Sequence, residues 1–233
     1  MAERQLTIAT TGPGGFQEAT RIQQTFITQA EKKALRWLAE RTPEAVNSDH
    51  LTTIGAIGMF LAGGSYALAR YSQYGLLLSC VFLALNWLGD SLDGTLARYR
   101  NRLRPRYGFY VDHVIDCFGV TALLAGMGTS GYMQPLFAAW LLVAYLLLSS
   151  EIFLATYALA RFEMSYFHFG PTELRILICI GNLYVFFGHS THPFGLQLSV
   201  FEVGAVIGTV GMTAIAVVSF VRHARLLYDS ERL

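Results

Sequence analysis

The chain has 233 residues, of which 53% are hydrophobic and only 14% are charged, and its formal net charge is +1. The mean hydropathy of +0.41 is typical of a polytopic membrane protein rather than a soluble one. The small net charge excludes a strong overall attraction to nucleic acid, so no nucleic-acid partner is expected. Three cysteines lie in apolar runs without metal or disulfide spacing and are interpreted as packing residues, namely Cys80, Cys117 and Cys179.

The first 45 residues predict a tail and a surface helix. Residues 1–15 are polar, contain a Gly-Pro-Gly-Gly stretch and lack the plan of a signal peptide, so we expect a disordered tail. Residues 16–45 predict an amphipathic juxtamembrane helix on the membrane surface, with Trp37 as an interfacial anchor. The alternative is a surface helix that packs on its own protein. Pro43 and Asn47 predict a break and a new helix cap before the first span.

Residues 46–225 predict a membrane domain of six transmembrane helices, each of about 20 residues. The fold class is therefore an all-α integral membrane protein, in which an N-terminal amphipathic interfacial helix precedes six spans. The spans are placed near residues 51–70, 74–95, 109–130, 134–160, 173–190 and 198–222, and residues 226–233 form a tail.

The distribution of arginines predicts the orientation of these spans. One set of loops holds Arg98, Arg100, Arg102, Arg104, Arg106, Arg161 and Arg175 together with both termini, and the opposite set holds only Arg70. Because basic loops stay in the cytoplasm, we expect both termini and the aspartate-bearing end on the cytoplasmic side.

Four aspartates stand at the ends of the second and third spans. Asp90 and Asp93 are three residues apart, and Asp112 and Asp116 are four apart, so each pair shares one helix face. A carboxylate at membrane depth costs about 2.5–3.5 kcal/mol on insertion scales. Two converging pairs would repel one another unless a cation lay between them, which favours a hard divalent ion with oxygen ligands.

The spacing D-x2-D-G-x2-A-R-x9-G-x3-D-x3-D resembles the signature of the CDP-alcohol phosphotransferase family, integral membrane enzymes that make phospholipids. All fixed positions are present, as Asp90, Asp93, Gly94, Ala97, Arg98, Gly108, Asp112 and Asp116. The resemblance implies transfer of a substituted phosphate from a CDP-linked alcohol donor to an alcohol acceptor, with release of CMP. It also implies one or two Mg²⁺ or Mn²⁺ ions, contact with membrane lipids and a homodimer.

The same resemblance implies roles for the motif residues. The metal ligands are Asp90, Asp93, Asp112 and Asp116, and Asp116 is also the candidate general base. The nucleotide-binding set is Asp90, Asp93, Gly94, Ala97, Arg98 and Gly108. Small residues allow a nucleotide to approach the helix backbone, and the guanidinium of Arg98 suits a diphosphate. Ordinary packing between membrane helices is the alternative for Gly94 and Ala97, and Gly108 is expected to turn the chain into the third span.

Candidate acceptor-binding residues lie on the same side, namely Arg104, Arg106, His113, Arg161 and Arg175. Lipid phosphates are the alternative partner for Arg104 and Arg106, and Arg–Glu salt bridges are the alternative for Arg161 and Arg175. Two further acids fall within spans. Glu151 is a functional candidate by default, whereas Glu202, near the opposite end, is interpreted as structural.

Three functions remain open at this point. CDP-diacylglycerol with a small polar alcohol or its phosphate is favoured by the arginine-rich loops. The alternative is CDP-choline or CDP-ethanolamine with diacylglycerol, because His113 follows Asp112 as it does in that branch of the family. That branch has a glutamate directly after the glycine, where this chain has Phe109. A cation-binding transporter or an inactive scaffold is the hypothesis from another class.

Overall fold

The computed structural model describes residues 28–159, 171–188, 191 and 197–231, and these residues form seven α-helices and no strand. The helices are α1 (Thr28–Arg41), α2 (Ser48–Ala69), α3 (Tyr74–Tyr99), α4 (Pro105–Thr129), α5 (Pro135–Leu159), α6 (Pro171–Phe186) and α7 (Val200–Ser230). The predicted tail over residues 1–15 and the first part of the predicted helix over 16–45 lie outside the described residues. Arg161 also lies outside them.

Local sequence sets the helix ends on both sides of the aspartates. Asn47 caps α2: its Oδ1 accepts from the His50 N–H at 3.0 Å, and His50 Nδ1 accepts from the Asn47 N–H at 3.3 Å. The predicted break at Pro43 and cap at Asn47 are therefore confirmed. α3 ends at Tyr99, and Asn101 shortly after it has a φ of 54°, the left-handed conformation common after helices. Pro105 then opens α4, since proline suits a first helical position.

Five of the described helices are long and apolar enough to cross a membrane, namely α2, α3, α4, α5 and α7. Large apolar side chains such as Phe118, Leu154 and Val218 are exposed on their outer surfaces, as lipid contact requires. These features identify a multi-pass membrane protein. α6 has 16 described residues, fewer than the roughly 20 that a membrane-spanning helix needs, so the count of six spans stays a prediction.

Glycines bring α2 into backbone contact with α3 and α4. A Cβ added to Gly89 of α3 would lie 2.5 Å from the backbone nitrogen of Gly55. A Cβ added to Gly63 would collide with the backbone of Ala122 in α4. Small residues are what allow membrane helices to pack this closely. α2, α3 and α4 therefore form one close-packed unit, while α5 packs on α4 and α7, and α6 packs on α3.

α1 packs against the aspartate end of α3. Leu35 and Ala39 are buried against Leu92 and Leu96, while the lysines and arginine on the other side of α1 are exposed. Glu31 Oε1 accepts hydrogen bonds from Trp87 Nε1 of α3 at 2.8 Å and from Thr172 Oγ1 of α6 at 3.1 Å. One side of α1 is thus packed on its own protein. Its placement at the membrane surface stays a prediction.

Arg100 fixes the linker between α1 and α2 to the end of α3. Its guanidinium donates to the carbonyl oxygens of Val46 at 2.5 Å, Thr42 at 2.8 Å and Pro43 at 2.9 Å. Arg100, which the sequence assigns only to the membrane orientation of the protein, therefore also holds the linker between α1 and α2 against the aspartate end of α3. Hydrogen bonds to a charged donor are stronger than neutral ones, so this contact rigidifies the linker.

Gly63→Ala should destabilise the protein, because its Cβ would lie 2.7 Å from the carbonyl carbon of Ala122 and would force α2 away from α4. We expect a loss of about 1–3 kcal/mol, as for overpacking in other cores. Gly64→Ala is the matched control, since no described atom lies within 4 Å of its added Cβ. Thermal melting of both variants in detergent checks this. Equal melting temperatures would show that the contact between α2 and α4 is not tight.

Candidate functional site

The four motif aspartates line one cavity of about 10 Å³ between the start of α2, the end of α3 and the start of α4. α3 supplies Asp90 and Asp93, one turn apart, and α4 supplies Asp112 and Asp116, also one turn apart. The close contact of α2 with both helices brings the two pairs to the same end of the bundle. The shared helix faces inferred from the spacing therefore converge in the structure.

Two residues of α2 hydrogen-bond to Asp93. Its side chain is largely buried, and Thr52 Oγ1 donates to its Oδ2 at 2.6 Å. The N–H of Gly94 donates to Oδ1, and Ser48 Oγ donates to the Asp93 backbone oxygen at 3.0 Å. Sequence reasoning missed Thr52, because nothing local relates it to an aspartate 41 residues later. These bonds fix the direction of the carboxylate.

Asp90 is paired with Arg175 of α6. The distance from Arg175 Nη2 to Asp90 Oδ2 is 2.8 Å, and the arginine side chain is only 13% exposed. Sequence reasoning proposed Arg175 for acceptor binding, with a salt bridge to a glutamate as the alternative. The structure pairs it instead with a predicted metal ligand. This guanidinium offsets part of the negative charge of the cavity.

Asn86 is a further polar residue of the cavity that the motif does not include. It lies one turn before Asp90 on α3 and is 5% exposed. Its Nδ2 donates to the Gly55 carbonyl oxygen at 3.0 Å. Its Oδ1 is buried and has no hydrogen-bond partner among the described residues. An asparagine four residues before Asp90 in an apolar run was the available signal.

The chemistry of these donors fits a hard divalent cation. Carboxylate and amide oxygens suit Mg²⁺ and Mn²⁺, whereas the nitrogen and sulfur ligands that zinc favours do not line the described part of the cavity. Among the described residues, no three His, Cys, Asp or Glu side chains have the spacing of an assembled metal site. In this structure Arg175 and Thr52 instead hold one oxygen each of Asp90 and Asp93.

The two motif glycines lie in open surroundings. A Cβ on Gly94 would meet only the Arg98 side chain, at 3.5 Å or more, and no described atom lies within 4 Å of a Cβ on Gly108. Packing between described helices therefore does not require either glycine. Ala97 is buried, and Arg98 Nη2 donates to Thr95 Oγ1 at 3.2 Å.

The expected turn at Gly108 is wrong. α4 already begins at Pro105, and the Gly108 N–H donates to the Arg104 carbonyl oxygen at 2.8 Å within its first turn. The reversal of the chain takes place earlier, at the left-handed Asn101. The proline, which predicts a helix start, was the better signal.

Three of the acceptor candidates do not line the described part of the cavity. Arg104 forms an ion pair with Asp49 and lies 4.4 Å above the Tyr107 ring, and Arg106 is exposed. His113 Nδ1 is 2.6 Å from the Phe109 carbonyl oxygen, and its ring packs beside Phe153 of α5. Arg175, by contrast, contacts the motif aspartate Asp90.

The remaining intramembrane acids are engaged elsewhere. Glu151 Oε1 is 2.6 Å from His223 Nδ1, which links α5 to α7. Glu202 accepts from the backbone nitrogens of Gln134 at 3.0 Å and Ser199 at 2.8 Å, in a capping box at the start of α7. It lines a larger cavity of about 480 Å³ at the opposite end of the bundle. That cavity holds no predicted site residue among its described lining.

Comparison with known proteins identifies a family whose pattern covers most of the membrane helices. The model of the CDP-alcohol phosphatidyltransferase family matches residues 46–221. This range includes all four aspartates and runs from just before α2 to well into α7. No curated protein matches the chain.

Arg175→Gln should lower the melting temperature of the cation-free protein, because Asp90 loses its counter-charge beside three other carboxylates. Since Asp90 is 37% exposed and solvent screens its charge, we expect a loss of only about 1 kcal/mol. Added Mg²⁺ or Mn²⁺ should raise the melting temperature of this variant more than that of the wild type.

Arg104→Gln is the matched control, because its partner Asp49 lies outside the cavity and both side chains are about half exposed. It should shift neither the melting temperature nor its response to cations appreciably. Identical behaviour of the two variants would show that Arg175 does not offset the charge of the aspartates.

Proposed function

The chain belongs to the CDP-alcohol phosphatidyltransferase family, and on this premise we propose that it is a metal-dependent enzyme of phospholipid biosynthesis. It transfers a phosphatidyl group from CDP-diacylglycerol to a small polar alcohol or alcohol phosphate and releases CMP. Family membership supports the general phosphatidyl transfer. The observation that carries the proposal for this chain is that all four motif aspartates line one cavity.

Asp90, Asp93, Asp112 and Asp116 are the residues proposed to hold Mg²⁺ or Mn²⁺. A bound divalent cation would neutralise charge on the diphosphate of the donor as CMP departs. The chain contributes the positions of the oxygen ligands. Thr52 and the Gly94 N–H orient Asp93, and the backbone contact of Gly89 with Gly55 fixes α3 directly before Asp90.

Asp116 is the proposed general base. It accepts the proton of the acceptor hydroxyl as that oxygen attacks the phosphorus of the phosphatidyl group. A new phosphorus–oxygen bond forms, and the bond to the CMP oxygen breaks with its electron pair leaving on CMP. The position of Asp116 in the cavity that holds the other aspartates supports this role, because attack and departure occur at one phosphorus.

Open space beside Gly94 and Gly108 supports their proposed place in the nucleotide site, together with Asp90, Asp93, Ala97 and Arg98. An added Cβ at either glycine meets no protein backbone within 4 Å among the described residues, so a bound nucleotide could approach both. Arg98 is exposed at the same end of α3, where its guanidinium could reach the diphosphate.

An anionic acceptor is favoured by the cluster of arginines near the cavity. Arg98, Arg102 and Arg106 are all exposed at the aspartate end of the bundle. CDP-choline or CDP-ethanolamine with diacylglycerol is the second candidate, on the grounds that His113 follows Asp112. Its ring packs beside Phe153 of α5, and His113 is not among the described residues that line the cavity, which weighs against that candidate. A transporter is disfavoured because the aspartates lie at one end of the helices.

The remaining organisation is also proposed. Arginines concentrate at the aspartate end, so the positive-inside rule supports a cytoplasmic active site and cytoplasmic termini. α6 is proposed as the fifth of the six spans in chain order, which the sequence places near residues 173–190. A homodimer is proposed on the resemblance to the family alone.

Purified protein with Mg²⁺ or Mn²⁺ should release CMP from CDP-diacylglycerol when supplied with glycerol 3-phosphate, serine, inositol or inositol phosphate. Asp116→Asn should lower the rate by about 10²–10⁴-fold, because the acceptor proton then has no positioned base. Asp229→Asn, at the C-terminal end of α7 and not among the described residues that line the cavity, is the matched control and should keep the wild-type rate. A parallel set with CDP-choline or CDP-ethanolamine and diacylglycerol tests the second candidate.

Release in the second set alone would overturn the choice of donor and leave the chemistry in place. Full activity of Asp116→Asn would reject its role as the base. If the folded protein neither releases CMP nor binds a CDP-linked alcohol in any combination, the proposal of an enzyme fails.

A further inference from the structure

The aspartate cavity contains a fifth oxygen donor that the motif does not predict. Asn86 lines the cavity from α3, one turn before Asp90, and is buried, with only 5% of its surface exposed. We propose that Asn86 Oδ1 is a neutral ligand of the divalent cation, an inference that rests on the proposed function.

The orientation of the amide is fixed by its partner. Nδ2 of Asn86 lies 3.0 Å from the Gly55 carbonyl oxygen, which can only accept a hydrogen bond. The nitrogen must therefore face Gly55, so the oxygen is the free end of the amide. Exchange of the two atoms would set two acceptors against each other, which removes the usual ambiguity of asparagine side chains.

The free oxygen needs a partner. Asn86 Oδ1 is buried and no described residue donates a hydrogen bond to it. The side chain lies in a helix long and apolar enough to cross a membrane. A buried acceptor without a partner costs about 1–3 kcal/mol. The aspartates beside it are hydrogen-bond acceptors when ionised and so cannot satisfy it, whereas a cation held by those aspartates can.

The backbone holds this oxygen in place. An added Cβ on Gly58 of α2 would lie 2.8 Å from the Asn86 backbone nitrogen, so the two helices touch at this residue. Asn86 is thus fixed from two sides, by backbone contact at Gly58 and by the hydrogen bond to Gly55. A ligand oxygen that is already held in place binds a cation without further loss of conformational freedom.

The charge of the cavity favours a neutral fifth donor. Four aspartates carry more negative charge than one divalent cation offsets, and Mg²⁺ takes six oxygens in octahedral geometry. Another carboxylate would add repulsion, while an amide oxygen adds a ligand without charge. Arg175 and Thr52 each occupy one carboxylate oxygen, which leaves fewer aspartate oxygens for the ion.

The test is the affinity of the purified full-length protein for Mn²⁺, followed through the electron paramagnetic resonance signal of free Mn²⁺. Asn86→Ala should weaken binding by about tenfold or more, as loss of a supporting ligand does in other metal sites. Asn86→Leu keeps the branched shape of the side chain but has no oxygen, so it should weaken Mn²⁺ binding by a similar factor.

Asn182→Ala is the matched control. Asn182 is fully buried and bonded to Tyr66 OH at 2.7 Å and to Ser79 Oγ at 2.8 Å, so it too links helices through an amide. Tyr66 lies about 21 Å along α2 from Thr52, given 1.5 Å per residue. Asn182→Ala should therefore lower the melting temperature while leaving Mn²⁺ affinity within about twofold of the wild type.

Asp112→Asn distinguishes a failure of this inference from a failure of the proposed function. If it weakens Mn²⁺ binding while Asn86→Ala does not, Asn86 is structural and only this inference is overturned. If the wild type itself binds no Mn²⁺, the metal dependence of the proposed function fails with it. Should Asn86→Ala not fold, Asn86→Leu decides: an affinity for Mn²⁺ within about twofold of the wild type rejects the ligand role.

Discussion

Mutual repulsion of four carboxylates around one small cavity is the constraint on which the arrangement of this protein depends. At separations of a few ångströms such repulsion amounts to several kcal/mol per pair in a medium of intermediate dielectric constant. Asp90 is offset by Arg175 of α6, and Asp93 receives hydrogen bonds from Thr52 and the Gly94 N–H. α2 and α6, which carry no motif aspartate, therefore supply part of the compensation. The site belongs to the bundle rather than to the motif segment.

Backbone contact between α2 and its neighbours makes that compensation possible. Gly55, Gly58 and Gly89 let α2 approach α3 so closely that Thr52 reaches Asp93 and the Gly55 carbonyl reaches Asn86. α1 adds a second layer, in which Leu35 and Ala39 cover Leu92 and Leu96 while Glu31 joins Trp87 to Thr172. The segments that carry Asp90 and Arg175 are thus tied together from outside the cavity.

Periodicity and local signals predicted what depends on neighbours in sequence. The pairing of Asp90 with Asp93 and of Asp112 with Asp116 on shared faces follows from helix geometry, and the cap at Asn47 follows from its side chain. The contacts of Thr52 with Asp93 and of Arg175 with Asp90 join residues 41 and 85 positions apart, and one sequence gives no signal for them. Gly108 misled because a glycine suits both a turn and an open helix face.

The dependence of the aspartates on α2 limits how far the motif can be moved between proteins. A designer who transplanted residues 90–116 into another membrane bundle would bring every carboxylate and leave behind Thr52, Gly55 and Gly58. Without glycines on the facing helix, ordinary side chains would hold α3 away, and Asp93 would lose the hydroxyl that orients it. The smallest portable unit is therefore the three-helix assembly of α2, α3 and α4, with the arginine of α6 added to offset its charge.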